Sequence, residues 1–129
     1  MMPRELEQRM KRFAILVIRF VETVMKHSVS RILTLQLIRS ATSVGANYRE
    51  ANRAESKKDF IHKIAIVEKE VAESQYWLEL LQDLGFGDNR EARIIYQESR
   101  ELLAIFTRIG KSAKLSLNSQ FAIRNSQSQ

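Results

Sequence analysis

An all-α fold, an up-down-up-down antiparallel four-helix bundle, follows from three observations. Four segments carry apolar residues at helical spacing, helix breakers are nearly absent from them, and the connections between them are short. In 129 residues Pro occurs once, at Pro3, and Gly four times, at Gly45, Gly85, Gly87 and Gly110, so a few long helices are expected. At 44% hydrophobic and 28% charged, the chain can bury one core, placed in a single domain over residues 1–117.

In the first segment Leu6, Met10, Phe13, Val17, Phe20 and Val24 alternate steps of four and three. A second row, Ala14, Ile18, Val21 and Met25, widens the apolar arc, and the helix is expected to end near His27. Ser28 or Ser30 is the expected cap of the second helix. There Leu33, Leu37, Ile38, Ala41, Val44, Tyr48 and Ala51 share one side, and the run Ser40–Ala46 is rich in small side chains. Gly45 costs about 1 kcal/mol against Ala inside a helix, which predicts close approach of a neighbouring helix there.

Ser56 is the expected cap of the third helix, whose heptad Phe60, Ile64, Val67, Val71, Ser74, Leu78 and Leu81 is unbroken. Gly85 suits the left-handed position that closes this helix. Asp88 followed by Glu91 reads as a capping box for the fourth, with Ala92, Ile95, Ser99, Leu102, Phe106, Ile109 and Ala113 as its stripe. Residues 118–129 turn polar and are expected to form a disordered tail.

A further apolar row on the third helix, Ile66, Trp77, Leu80 and Leu84, points away from the heptad stripe. Leaving Trp77 or Leu84 wet would cost about 1.5–3 kcal/mol each. The row is either the edge of a broad core face or a subunit interface, and the interface is favoured because the stripe already supplies a core face.

Chemistry that needs a nucleophilic or metal-ligating cluster finds little support. There is no cysteine, which suits a reducing cytoplasm. His27 and His62 have no ligand at metal-binding spacing, and His62 reads as a surface residue. The carboxylates Glu68, Glu70 and Glu73 lack the Glu-x-x-His pattern of di-iron bundles and sit beside Lys63 and Lys69, as on a solvated, salt-bridged face. No Gly-rich phosphate loop or nucleophile elbow occurs. The expectation is a protein that is not an enzyme, with no catalytic residue, cofactor or metal. The apolar stretch Phe13 to Ile18 is too short to span a bilayer, so a soluble protein without membrane association is expected.

Charge is more informative. The formal net charge is +6, and the segments 1–27, 28–55, 56–87 and 88–129 carry +3, +2, −2 and +3. On the second helix Arg31, Arg39, Arg49 and Arg53 fall within an arc of about 80° over roughly 33 Å, and Lys57 and Lys58 extend that side past the turn. Such a row either tracks phosphates of RNA or DNA or is a solvated face partly neutralised by Glu50 and Glu55. No aromatic stands among the arginines to stack on bases, so contact would be sequence-tolerant.

The blocks Arg39-Ser40-Ala41-Thr42-Ser43-Val44-Gly45-Ala46-Asn47-Tyr48-Arg49-Glu50-Ala51, then Asp59-Phe60-Ile61 with Lys63, Glu68-Lys69-Glu70 with Glu73, and Tyr76-Trp77-Leu78 carry a resemblance. In order and spacing they resemble a bacterial four-helix-bundle family. Its members include proteins encoded in intervening sequences of 23S rRNA genes and the accessory variability proteins of diversity-generating retroelements. The resemblance implies an up-down bundle assembling into a cyclic homopentamer. Its basic surfaces would serve nucleic acid and, in the retroelement relatives, a reverse transcriptase. It also implies that Ser40–Ala46 and Asn47–Glu50 are a packing signature rather than a catalytic one. Two functions follow: an oligomeric nucleic-acid-associated protein, or a self-assembling scaffold for a protein partner such as a reverse transcriptase.

Overall fold

The computed structural model describes residues 1–127 and contains α1 (Pro3–Val21), α2 (Ser28–Asn52), α3 (Lys57–Asp83) and α4 (Asn89–Gln127), with no strand among the described residues. Each helix packs against the two that flank it, α2 against α3 most extensively and α1 against α4 least. Cross-helix pairs fix the antiparallel sense: Arg9 meets Glu98, Glu50 meets Lys63, and Tyr96 meets Glu79. The expected up-down-up-down four-helix bundle is the fold observed.

The heptad stripes form the core. Phe13, Phe20, Leu37, Ile64, Leu78, Ile95, Leu102 and Phe106 are fully enclosed. The second apolar row of α1 divides: Ala14 and Val21 are half-buried, with Val21 packed on the core, whereas Ile18 and Met25, the latter beyond the end of the helix, are exposed. α1 also stops short of His27. Thr23 and Val24 bond back to Phe20 and Val21 three residues earlier, which tightens and ends the last turn. The Thr23 hydroxyl donates to the Phe20 carbonyl at 2.6 Å and accepts from the Asp88 amide at 2.8 Å, tying this end to the α3–α4 connection.

The cap of α2 is His27 rather than a serine. Its Nδ1 accepts from the Ser30 amide at 3.3 Å while the Ser30 hydroxyl accepts from the His27 amide at 2.9 Å, a reciprocal box in which imidazole replaces the usual oxygen. The same ring stands edge-on to Phe86 at 5.0 Å, which gives His27 a structural task. Ser56 caps α3 by accepting from the Asp59 amide at 3.0 Å. At the other end the Phe86 amide reaches the Leu81 carbonyl and the Gly85 amide the Gln82 carbonyl, a Schellman closure with Gly85 at φ 72°. Asp88 accepts from the Glu91 amide at 2.9 Å, but its own amide is taken by Thr23, so only half of the expected box forms.

The fourth helix departs most from expectation. Residues 118–127, expected as a disordered tail, continue α4 through Gln127, while residues 128 and 129 lie outside the described residues. No Gly or Pro follows Gly110, so a helix nucleated on the bundle meets nothing that stops it. Lys57, at the start of α3, donates to Ser116 at 2.5 Å, so α4 outruns its neighbours by roughly 15 Å, with Phe121 and Ile123 exposed.

Two glycines should respond oppositely to a methyl group. At Gly87, with φ 84°, an added Cβ would lie 2.8 Å from Val24 and 2.9 Å from the Phe20 ring. At Gly45 it would meet Met10 of α1 at 3.5 Å, an ordinary contact on a helical backbone. Gly87→Ala is expected to destabilise the fold by about 1–3 kcal/mol. Gly45→Ala is expected to stabilise it by about 0.5–1 kcal/mol, and urea unfolding of both variants checks the pair of signs.

Candidate nucleic-acid interface

The arginine row of α2 faces outward, and Arg31, Arg39, Arg49 and Arg53 are all exposed. Two of the four are already engaged by carboxylates. The Arg39 guanidinium donates to Glu70 at 3.2 Å and to Glu73, both on α3. Arg49 stands 3.6 Å from Glu7 on α1. Arg31 and Arg53 make no ion pair among the described residues. Lys57 is half-buried and spent on Ser116, while Lys58 is exposed. The structure therefore brings the predicted row onto one face but leaves Arg31, Arg53 and Lys58 as its unpaired cations. Leu35, 65% exposed, lies within the same arc and interrupts it.

Glu70 corrects a second expectation. Far from standing on a solvated face, it is only 8% exposed and held by Arg39. Glu73 also accepts from the Trp77 indole at 3.1 Å, so Arg39, Glu70, Glu73 and Trp77 form one polar cluster along the α2–α3 seam. Glu68 turns the other way and accepts from the Thr107 hydroxyl at 3.2 Å. Lys63 pairs with Glu50 at 2.9 Å, and that hydrogen bond, reinforced by the charge, raises the Lys63 pKa. The Arg9 pKa rises chiefly through its hydrogen bond to Glu98, against some desolvation. Burial raises the Tyr48 phenol, and donation to Glu79 at 2.6 Å raises that of Tyr96. Among the described residues no three His, Cys, Asp or Glu side chains gather as a metal cluster, and no helix is long and apolar enough to cross a membrane.

The row Ile66, Trp77, Leu80 and Leu84 lies on the flank of α3 turned toward α2, the side that also carries Glu70 and Glu73. Ile66, Trp77 and Leu80 are half-buried, Trp77 packs against the core, and Leu84 is 50% exposed. The row is thus core edge at Trp77 and open surface at Leu84. Sequence periodicity missed its counterpart on α2. The register set by Ser40 on Ser74 and by Glu50 on Lys63 places Val29 and Ile32 opposite Leu80 and Leu84, and both are exposed. The signal available was the spacing Val29, Ile32, Leu35, apolar at every third residue yet outside the core stripe.

Removing Arg39 strands a nearly buried carboxylate. Arg39→Ala is expected to cost about 1–2 kcal/mol, since exposure of the guanidinium screens part of the pairing. A cycle with Glu70→Ala in urea unfolding should return a coupling of about 0.5–2 kcal/mol.

Similarity to known proteins agrees with this architecture. A crystal structure of a protein of unknown function from the S23 ribosomal protein family of Bacteroides thetaiotaomicron superposes with a TM-score of 0.75 at 32% identity, covering 81% of this chain and 97% of that one. No functionally curated protein matches. Residues 4–108, which span all four helices and stop before the overhanging part of α4, match the 23S rRNA-intervening sequence proteins, and the chain belongs to that family.

Proposed function

We propose that this chain is a non-catalytic, self-assembling protein that associates with RNA through the phosphate backbone, without sequence preference. The observation that carries this reading is a surplus of surface cations left after internal pairing. Lys and Arg number 21 against 15 Asp and Glu, and several, Arg31, Arg53 and Lys58 among them, have no carboxylate partner among the described residues. Membership in a family described by an rRNA gene insertion supports RNA over other polyanions. The resemblance to retroelement accessory proteins adds a cyclic homopentamer as the assembly. A ring repeats each cationic patch, so modest single-site affinity becomes useful avidity. The expected result is binding of generic RNA that weakens by at least about tenfold between about 50 and 200 mM salt, read by fluorescence anisotropy. No binding at low salt sinks the reading.

A second reading, a scaffold for a protein partner such as a reverse transcriptase, draws on a different observation. Two arginines of α2 are already neutralised, and Val29, Ile32, Leu35, Tyr76 and Leu84 expose apolar surface on the α2–α3 side. Self-association and partner docking would both use that surface. Ile32→Glu with Leu84→Glu removes apolar contact without touching the core. Light scattering should then report a species near the 15.0 kDa chain mass where the wild type gives a multiple of it. A wild-type monomer at micromolar concentration would remove the assembly altogether.

A further inference from the structure

A cationic face with more unpaired cations than that of α2 lies on α4. Along α4, Arg93, Arg100 and Lys111 fall within about 20° of one line down the helix, flanked by Arg90 and Arg108 on one side and Lys114 on the other. All of these are exposed, and none makes an ion pair among the described residues. From Arg90 to Lys114 the row runs about 36 Å. No acidic side chain lies within the arc. Glu101 stands at its edge and is shared with Arg9 at 3.3 Å, Glu98 is held by Arg9 at 2.7 Å, and no acidic residue follows Glu101 in the chain. On the α3 side the bordering carboxylates accept from α4 hydroxyls, Glu68 from Thr107 and the exposed Glu79 from Tyr96, and pair with none of these cations. Between α3 and α4 an open groove of about 600 Å³ is lined by Tyr96, Arg100, Thr107, Arg108 and Lys111.

We infer that this outer face of α4 is the RNA-binding surface, and that its occupant is the sugar–phosphate backbone of an RNA duplex. The inference rests on the proposed association with RNA and relocates it from α2. Charge complementarity carries it: the α4 row holds its cations uncompensated, whereas α2 has surrendered Arg39 and Arg49 to carboxylates. The straightness of the row selects a duplex. A rigid helix bearing cations at intervals can follow a regular backbone, while single-strand binders add aromatic platforms for unpaired bases. The one aromatic beside the row, Tyr96, is half-buried with its hydroxyl bonded to Glu79, so it is not presented for stacking.

The test compares the full chain with Arg93→Glu/Arg100→Glu/Lys111→Glu on α4 and Arg31→Glu/Arg53→Glu on α2, each confirmed by circular dichroism and light scattering. The probe is a labelled RNA duplex of about 20 base pairs across a salt series. The α4 variant is expected to lose more than tenfold in affinity and to flatten the log affinity against log salt slope by about 2–3, with the α2 variant close to wild type. The neutral set Arg93→Gln/Arg100→Gln/Lys111→Gln should fall between and guards against a fold defect from charge reversal. Loss confined to the α2 variant, or equal loss in both, overturns the α4 surface while RNA association stands. Tighter binding of single-stranded poly(U) of the same length overturns the duplex as occupant. A wild type that binds neither probe at low salt overturns both the surface and the underlying function.

Discussion

The closest constraint in the molecule is the meeting of α2 and α3 at Ser40 and Ser74. Both side chains are fully buried and their hydroxyl oxygens lie 2.8 Å apart, each also within reach of a carbonyl of its own helix one turn back, so the two hydroxyl protons serve one bond between the serines and one to a carbonyl. The bond between the two hydroxyls exists only in this register, so sliding one helix along the other by a turn loses a buried hydrogen bond. Small side chains here also let the two backbones come near each other, consistent with α2–α3 being the most extensive contact of the bundle. Everything along that seam inherits its register: Arg39 reaches Glu70 and Glu73, Glu50 reaches Lys63, and Trp77 lies where it can donate to Glu73.

That register decides which charges remain for other molecules. A cation with a carboxylate in reach loses most of its long-range field, whatever its exposure. α2 sits between α1 and α3, both of which present acids toward it, and two of its arginines are absorbed. α4 faces α1 across a thin contact, where Glu98 and Glu101 are paired with Arg9, and α3 across a groove, where Glu68 and Glu79 accept from hydroxyls and pair with no α4 cation. Glu70 and Glu73 of α3 are thus drawn into the α2 seam, while the row on the outer face of α4 keeps its cations unpaired.

What could be read from the sequence was what depends on local pattern. The heptads of α3 and α4 name the core residues because a buried stripe must recur at the helical period, and Ser56, Gly85 and Asp88 mark helix ends because their backbone and side-chain chemistry suits little else. What stayed hidden depends on neighbours distant in the chain. The ring contact of His27 with Phe86 joins two connections far apart in the chain, and the neutralisation of Arg39 and Arg49 needs Glu70, Glu73 and Glu7 to arrive from other helices. The row on the second helix looked basic because its own segment is basic. The burial of Glu70 was likewise invisible, since a Glu beside Lys69 and among other acids reads as solvated until a facing Arg covers it.

The overhang of α4 gives the molecule two kinds of helix. Up to about Leu117 each turn is held by side chains packed into a cooperative core, so it opens only with the bundle. Beyond it the turns of residues 118–127 have no flanking helix and persist by propagation alone, each residue adding one backbone bond at close to zero net free energy. Warming would unravel this end progressively from its C-terminus, well before the core melts. Helical signal and core integrity would then decline on separate schedules, and a single midpoint would describe only the second.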